Sequence, residues 1–165
     1  MLFSTCDLCD EYRADVSGDF EVLVHAWRSY GKHARFCGPV ETVQCYEDNT
    51  ALKEAVEGPG EGRVLVVDAG SSMRKAVLGG NLAAAAAHNQ WAGLVIQGCV
   101  RDLAELAEAE VGVFALGHVP MPTQRQGQGL RGTVIHVGGA RVAPGAWLYA
   151  DPDGVVLSKR CLHQA

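Results

Sequence analysis

No run in this 165-residue chain stays apolar for the roughly 20 residues that a membrane-spanning helix requires. Even Leu82 to Ala87 is closed at once by His88, Asn89 and Gln90. Basic clusters are missing too: the 14 Lys and Arg are scattered through a chain of formal net charge −5. That excludes nonspecific nucleic-acid binding, which needs clustered cations to displace counterions. It does not exclude contact with a protein that handles RNA. Near the start, Asp7, Asp10 and Glu11 interrupt any basic and apolar secretion signal, so a cytoplasmic location is expected. His25, His33, His118, His136 and His163 lack the two- or three-residue spacing of metal ligands, and His88 reads as a favourable charge at a helix end. There is no G-x-G-x-x-G, no P-loop lysine and no glycine-rich S-adenosylmethionine loop. Six cysteines are present, but nothing completes the Cys6-x-x-Cys9 pair as a zinc site, and cytosolic thiols are expected.

What is present describes one packed domain over residues 1–165. Hydrophobic residues make up 48% of the chain, charged residues only 20%, and there are 20 glycines. That is the composition of a compact protein with many tight turns. Ser4 to Tyr12 reads as a short helix. After a break at Gly38-Pro39, Val40 to Tyr46 alternates like a half-buried strand, and Asp48 and Asn49 cap a helix to about Glu57. Arg63 to Asp68 is a β-branched run suited to a strand covered on both faces. Asn81 to Asn89 is helical, Leu94 to Ile96 is a second buried strand, and together they make an α/β crossover. Arg101 to Glu110 is helical, with Leu103 and Leu106 on one face, and Val111 to Leu116 is a strand. Thr133–Val137, Ala140–Val142, Trp147–Ala150 and Val155–Leu157 then make a β-rich C-terminal third. Asp68 reads as a turn cap, and Trp27, Trp91 and Trp147 as core or subunit-contact residues.

Two turns carry the candidate chemistry. Leu78-Gly79-Gly80-Asn81-Leu82 opens a helix, where backbone amides can receive a carboxylate or phosphate. Gly98-Cys99-Val100-Arg101-Asp102-Leu103-Ala104-Glu105 follows a strand end, the usual ligand position of an open α/β sheet. The residues admit a small-anion site, with Asp102 pairing Arg101 or holding a hard cation, and they equally admit plain structural turns.

These segments, with Gly62 to Ala76, Trp91 to Ile96, Cys6-Asp7-Leu8-Cys9-Asp10 and Gly145 to Val156, resemble the RraA-like family. That family joins the regulator of ribonuclease E activity A to the metal-dependent pyruvate aldolases. The resemblance implies an α/β swivelling fold of β/β/α type, with central strands, flanking helices and a homotrimer whose sites lie between subunits. In aldolase members it implies a lyase that cleaves 4-hydroxy-4-methyl-2-oxoglutarate to two pyruvates and decarboxylates oxaloacetate through the same enolate. By that resemblance Gly79, Gly80, Asn81 and Leu82 would hold the carboxylate of a small 2-oxo acid, and Arg101 would stabilise the enolate oxygen. Asp102 would anchor Mg²⁺ or Mn²⁺, and Glu105 would orient metal-bound water. Gly80 departs from the pattern, because the aldolases generally carry an acidic residue there. The other branch implies a noncatalytic inhibitor whose partner is ribonuclease E.

Overall fold

The computed structural model describes residues 3–163. Helix α1 (Thr5–Tyr12) starts where the sequence places a hydroxyl, since Ser4 accepts the Asp7 amide at 3.3 Å. Two short strands, β1 (Phe20–Val22) and β2 (Arg28–Ser29), precede the long strand β3 (Phe36–Gln44). The chain then alternates: α2 (Thr50–Glu57), β4 (Val64–Asp68), β5 (Ala76–Leu78), α3 (Gly80–His88), β6 (Gly93–Val100), α4 (Leu103–Glu108) and β7 (Gly112–His118). The C-terminal part is all β, with β8 (Leu130–Arg131), β9 (Ile135–Val137), β10 (Ala140–Val142), β11 (Trp147–Asp151) and β12 (Gly154–Ser158).

Strands β3, β4, β6 and β7 lie parallel and adjacent, as right-handed crossovers through helices require. On one side, β3 continues antiparallel to β11, then β12, then β1, and β2 closes the other side against β7. The result is a mixed central sheet. Along β4, Leu65 and Val67 face α2, α3 and α4, while Val64 and Val66 face the β9–β10 hairpin and β11. Both sets are fully buried, which is why the run is apolar without alternation. Each such Val or Leu stabilises the fold by about 1.5–3 kcal/mol.

Three sequence expectations shift. Gly38-Pro39 does not end a segment, because β3 runs through both residues and changes partner there: Pro39 pairs with Trp147 of β11, and Val40 with Val64 of β4. Glycine is needed at 38, where a Cβ would stand 2.2 Å from the Gly62 carbonyl oxygen. Asn49 does not cap α2 with its side chain; Asp48 does, accepting the Thr50 amide at 2.9 Å. Leu106 is buried as expected, but Leu103 is 39% exposed because α4 is too short to bury both.

Candidate active site

The two turns singled out in the sequence meet because β5 pairs with the end of β6, Ala76 opposite Cys99 and Leu78 opposite Val100. The Leu78 carbonyl then accepts the Arg101 amide at 2.9 Å, which ties the two strand exits together. Gly79 and Asp102 are thereby brought into contact. A Cβ at Gly79 would lie 2.5 Å from Asp102 Oδ2, so only glycine leaves room for the carboxylate.

Asp102 has φ 59° and ψ 51°, a left-handed conformation uncommon outside glycine. It occupies the N-cap of α4 without capping it, which forgoes about 1 kcal/mol. Its carboxylate turns instead to the neighbouring helix, accepting the Gly80 amide at 3.0 Å and the Arg101 Nε at 3.3 and 3.4 Å. Arg101 Nη1 reaches the Pro120 carbonyl at 3.3 Å. Glu47, Glu61, Ser71 and Gln90 share a positive φ, and aspartate tolerates this region better than most side chains.

A cleft of about 360 Å³ opens here, lined by Gly79, Asn81, Leu82, Arg101 and Asp102 together with Asn49, Ala76, Pro122, Thr123 and Arg125. Five of the seven residues singled out in the sequence therefore line one cleft. Gly80 and Glu105 do not; they line an adjoining surface groove that shares Asn81. The amide of Gly80 is already committed to Asp102. A Cβ at Gly80 would stand 1.8 Å from Glu105 Oε2, so Glu105 fills the space that a side chain at 80 would need.

Of the cleft's lining, Pro122, Thr123 and Arg125 escaped sequence reasoning. Ala76 donates to the Met121 carbonyl at 2.8 Å and accepts from the Thr123 amide at 3.2 Å, which lays the loop after β7 along β5. Arg125 Nε donates to Asn49 Oδ1 at 3.1 Å, and Asn49 Nδ2 donates to the Val77 carbonyl at 3.0 Å. Beneath them the buried Asp48 accepts Thr50 Oγ1 at 2.7 Å and the Gln126 amide at 2.6 Å. Burial pushes the Asp48 carboxyl up, but the hydrogen bonds from Thr50, Gln126 and Gln128 outweigh it and hold it below the usual carboxylate range. No motif marks these residues, because they converge through contacts of the loop after β7 with β5 and with the start of α2.

With this geometry in place, comparison decides the kinship. The RraA-like family model, described as Aldolase/RraA, matches residues 5–157. The chain belongs to the RraA-like family. A relative from Albidiferax ferrireducens, which bears the name "Putative 4-hydroxy-4-methyl-2-oxoglutarate aldolase", is 52% identical over 94% of this chain and 95% of its own length. The RNA-processing inhibitor RraA from Thermus thermophilis superposes with a TM-score of 0.91 at 39% identity, covering 100% of this chain and 98% of that one. A Geobacillus kaustophilus protein described as an S-adenosylmethionine: 2-dimethylmenaquinone methyltransferase superposes with a TM-score of 0.89 at 41% identity, covering 97% of each chain. One RraA-like fold thus carries three names of different chemistry, so function has to be argued from the cleft. The RraA-like architecture accounts for the central mixed sheet, the flanking helices and the β-rich C-terminal region. Among the described residues, no helix is long and apolar enough to cross a membrane.

Proposed function

We propose that this chain is a divalent-metal-dependent lyase that cleaves 4-hydroxy-4-methyl-2-oxoglutarate to two pyruvates and decarboxylates oxaloacetate through the same pyruvate enolate. The observation that carries the reading is the left-handed Asp102, whose carboxylate leaves its own helix to lie beside Arg101 at the α3 amide turn. Among the described residues, no three His, Cys, Asp or Glu gather into a metal cluster. The donor set still fits a hard cation, because Mg²⁺ accepts one protein carboxylate, keeps several waters and takes further oxygens from the substrate. Held by Asp102, Mg²⁺ or Mn²⁺ supplies Lewis-acid polarisation of the 2-oxo group.

The protein does the rest. Amides of Gly79, Asn81 and Leu82 receive the 1-carboxylate at the α3 N-terminus, while that of Gly80 fixes Asp102. The C3–C4 bond breaks, its electron pair stays on C3, and the C4 hydroxyl proton leaves to water as C4 becomes the carbonyl carbon of the second pyruvate. Arg101 donates to the oxygen on which the enolate charge collects, and a proton returned to C3 completes the first pyruvate. Glu105, packed against Gly80 at the edge of the cleft, orients water for these transfers.

The family resemblance carries with it a homotrimer, in which exposed apolar side chains such as Tyr46, Met73, Met121 and Leu130 would be available for burial. The free cysteines support a reducing, cytoplasmic compartment. The likeness to the RNA-processing inhibitor favours a second reading, a noncatalytic regulator that binds ribonuclease E. Nothing in the sequence supports the methyltransferase name, since the glycine-rich S-adenosylmethionine loop is missing.

Pyruvate release from 4-hydroxy-4-methyl-2-oxoglutarate and from oxaloacetate tests the proposal. Turnover requires Mg²⁺ or Mn²⁺, stops with chelator, and falls by about 10²–10³ or more in Arg101→Ala and Asp102→Ala. Turnover no faster than the metal alone overturns it and passes the question to ribonuclease E binding.

A further inference from the structure

The six cysteines do not share one environment. Burial pushes the Cys45 thiol up to about 12 and also raises Cys9, Cys37 and Cys99. Cys6 is exposed, but the charge of Asp153 raises it as well. Cys161, the other exposed thiol, has different company. Its Sγ stands 3.5 and 3.6 Å from the two ring nitrogens of His163 and 3.3 Å from the His163 carbonyl oxygen. The Tyr149 hydroxyl donates to the same sulfur at 3.8 Å. Tyr149 is a fully buried residue of β11 that accepts the Leu162 amide at 2.7 Å and lies 2.9 Å from His163 Nδ1, so the segment after β12 is fastened over it. The Trp147 and Tyr149 rings meet the imidazole edge-on at 5.3 and 5.6 Å, which holds His163 beside the sulfur. Burial pushes the Tyr149 hydroxyl up to about 12, so it keeps its proton to donate. The lyase cleft is lined by other residues.

We propose that Cys161, with His163 as its base and the Tyr149 hydroxyl as a donor to the sulfur, is a site of reversible thiol modification that takes low-molecular-weight disulfides. The thiol proton passes to His163 as Sγ attacks one sulfur of the disulfide. A new S–S bond forms, the old one breaks, and the departing thiolate takes a proton from the imidazolium. Cys161 is oxidised and the released half of the disulfide is reduced. Once the imidazole is protonated both its nitrogens donate, so Nδ1 gives to the Tyr149 oxygen and the Tyr149 O–H is left for the sulfur. A small thiol reverses the exchange by the same path, so the adduct is transient in a reducing compartment. The proposal uses none of the residues of the lyase reading and stands independently of it.

Incubation of the full chain with glutathione disulfide at neutral pH, followed by mass spectrometry of proteolytic peptides, reads the rate at each cysteine. Cys161 is expected to take up glutathione about tenfold faster than Cys6, although both are exposed. The buried Cys45 and Cys99 stay unmodified and report within the same sample that the fold is intact. His163→Gln, which keeps a polar side chain without a base, and His163→Ala each lower the Cys161 rate by about tenfold and leave the Cys6 rate unchanged. Equal rates at Cys6 and Cys161 in the native chain overturn the proposal. A Cys161 rate that either His163 variant leaves unchanged overturns it too, as does an equal fall at both cysteines.

Discussion

A Cβ at Gly80 would stand 1.8 Å from Glu105 Oε2 and 2.7 Å from Glu105 Cβ. The carboxylate could swing away, but the Cβ cannot move without α4. Gly80→Ala is therefore expected to lower stability by about 1–3 kcal/mol, read as the shift in a denaturant midpoint. An unchanged midpoint would mean that Glu105 does not pack there. The same contact gives the departure at Gly80 a physical meaning: glycine at 80 and Glu105 are one arrangement, with the carboxylate arriving from α4. Of the candidate site, the residues on the two turns were legible because glycines before a helix and an Arg-Asp pair after a strand are local patterns. Arg125 and Thr123 were not, since a loop without periodicity gives no sign of what it will face. Asn49 stands at the N-cap of α2 as expected, but Asp48 accepts the Thr50 amide and leaves the Asn49 side chain to Arg125 and the Val77 carbonyl.

Among the elements, α1 is held by packing of Leu8 with Tyr149 and Val156 and by one buried acid, Asp151. Thr5 donates its amide to Asp151 Oδ2 at 2.8 Å and its hydroxyl to Oδ1 at 2.6 Å, and the Asp153 amide donates to Oδ1 at 3.0 Å. Burial raises the Asp151 pKa, but the bonds from Thr5 and Asp153 outweigh it and the carboxyl lies below the usual carboxylate range. A depressed folded pKa contributes stability that is present above the unfolded value, about 3.9, and is lost as pH falls through the folded one. Helix α1 should accordingly lose hydrogen-exchange protection below about pH 4, and Asp151→Asn should expose it at neutral pH, at a cost of about 1–3 kcal/mol. Protection indifferent to both changes would refute the anchoring. The sequence disclosed the long elements well, because β4, β6 and α3 carry runs that only a buried strand or a helix explains. It concealed β1, β2, β5 and β8, which have two or three residues and hence no period. Of these β5 matters most, as it delivers Gly79 to Asp102. The strand β3 was cut short at Gly38-Pro39 because breaker residues look alike whether a chain turns or only changes partner.

At the scale of the whole molecule, two cores share one sheet, the helical layer on one face and the β-rich C-terminal segment on the other. Strands buried on both faces hold the strand exits still, and the cleft sits at those exits, where residues far apart in sequence converge. This architecture is common to relatives named for aldol cleavage, for RNA-processing inhibition and for methyl transfer. The central claim is narrower: this cleft stabilises a pyruvate enolate. Exchange of the pyruvate methyl protons with D₂O, followed by proton NMR, reads that step without any second carboxylate or bond cleavage. The account predicts exchange that requires Mg²⁺ or Mn²⁺, ceases with chelator and falls by about 10²-fold or more in Asp102→Asn. Exchange no faster than the metal alone produces, or undiminished in Asp102→Asn, would contradict it.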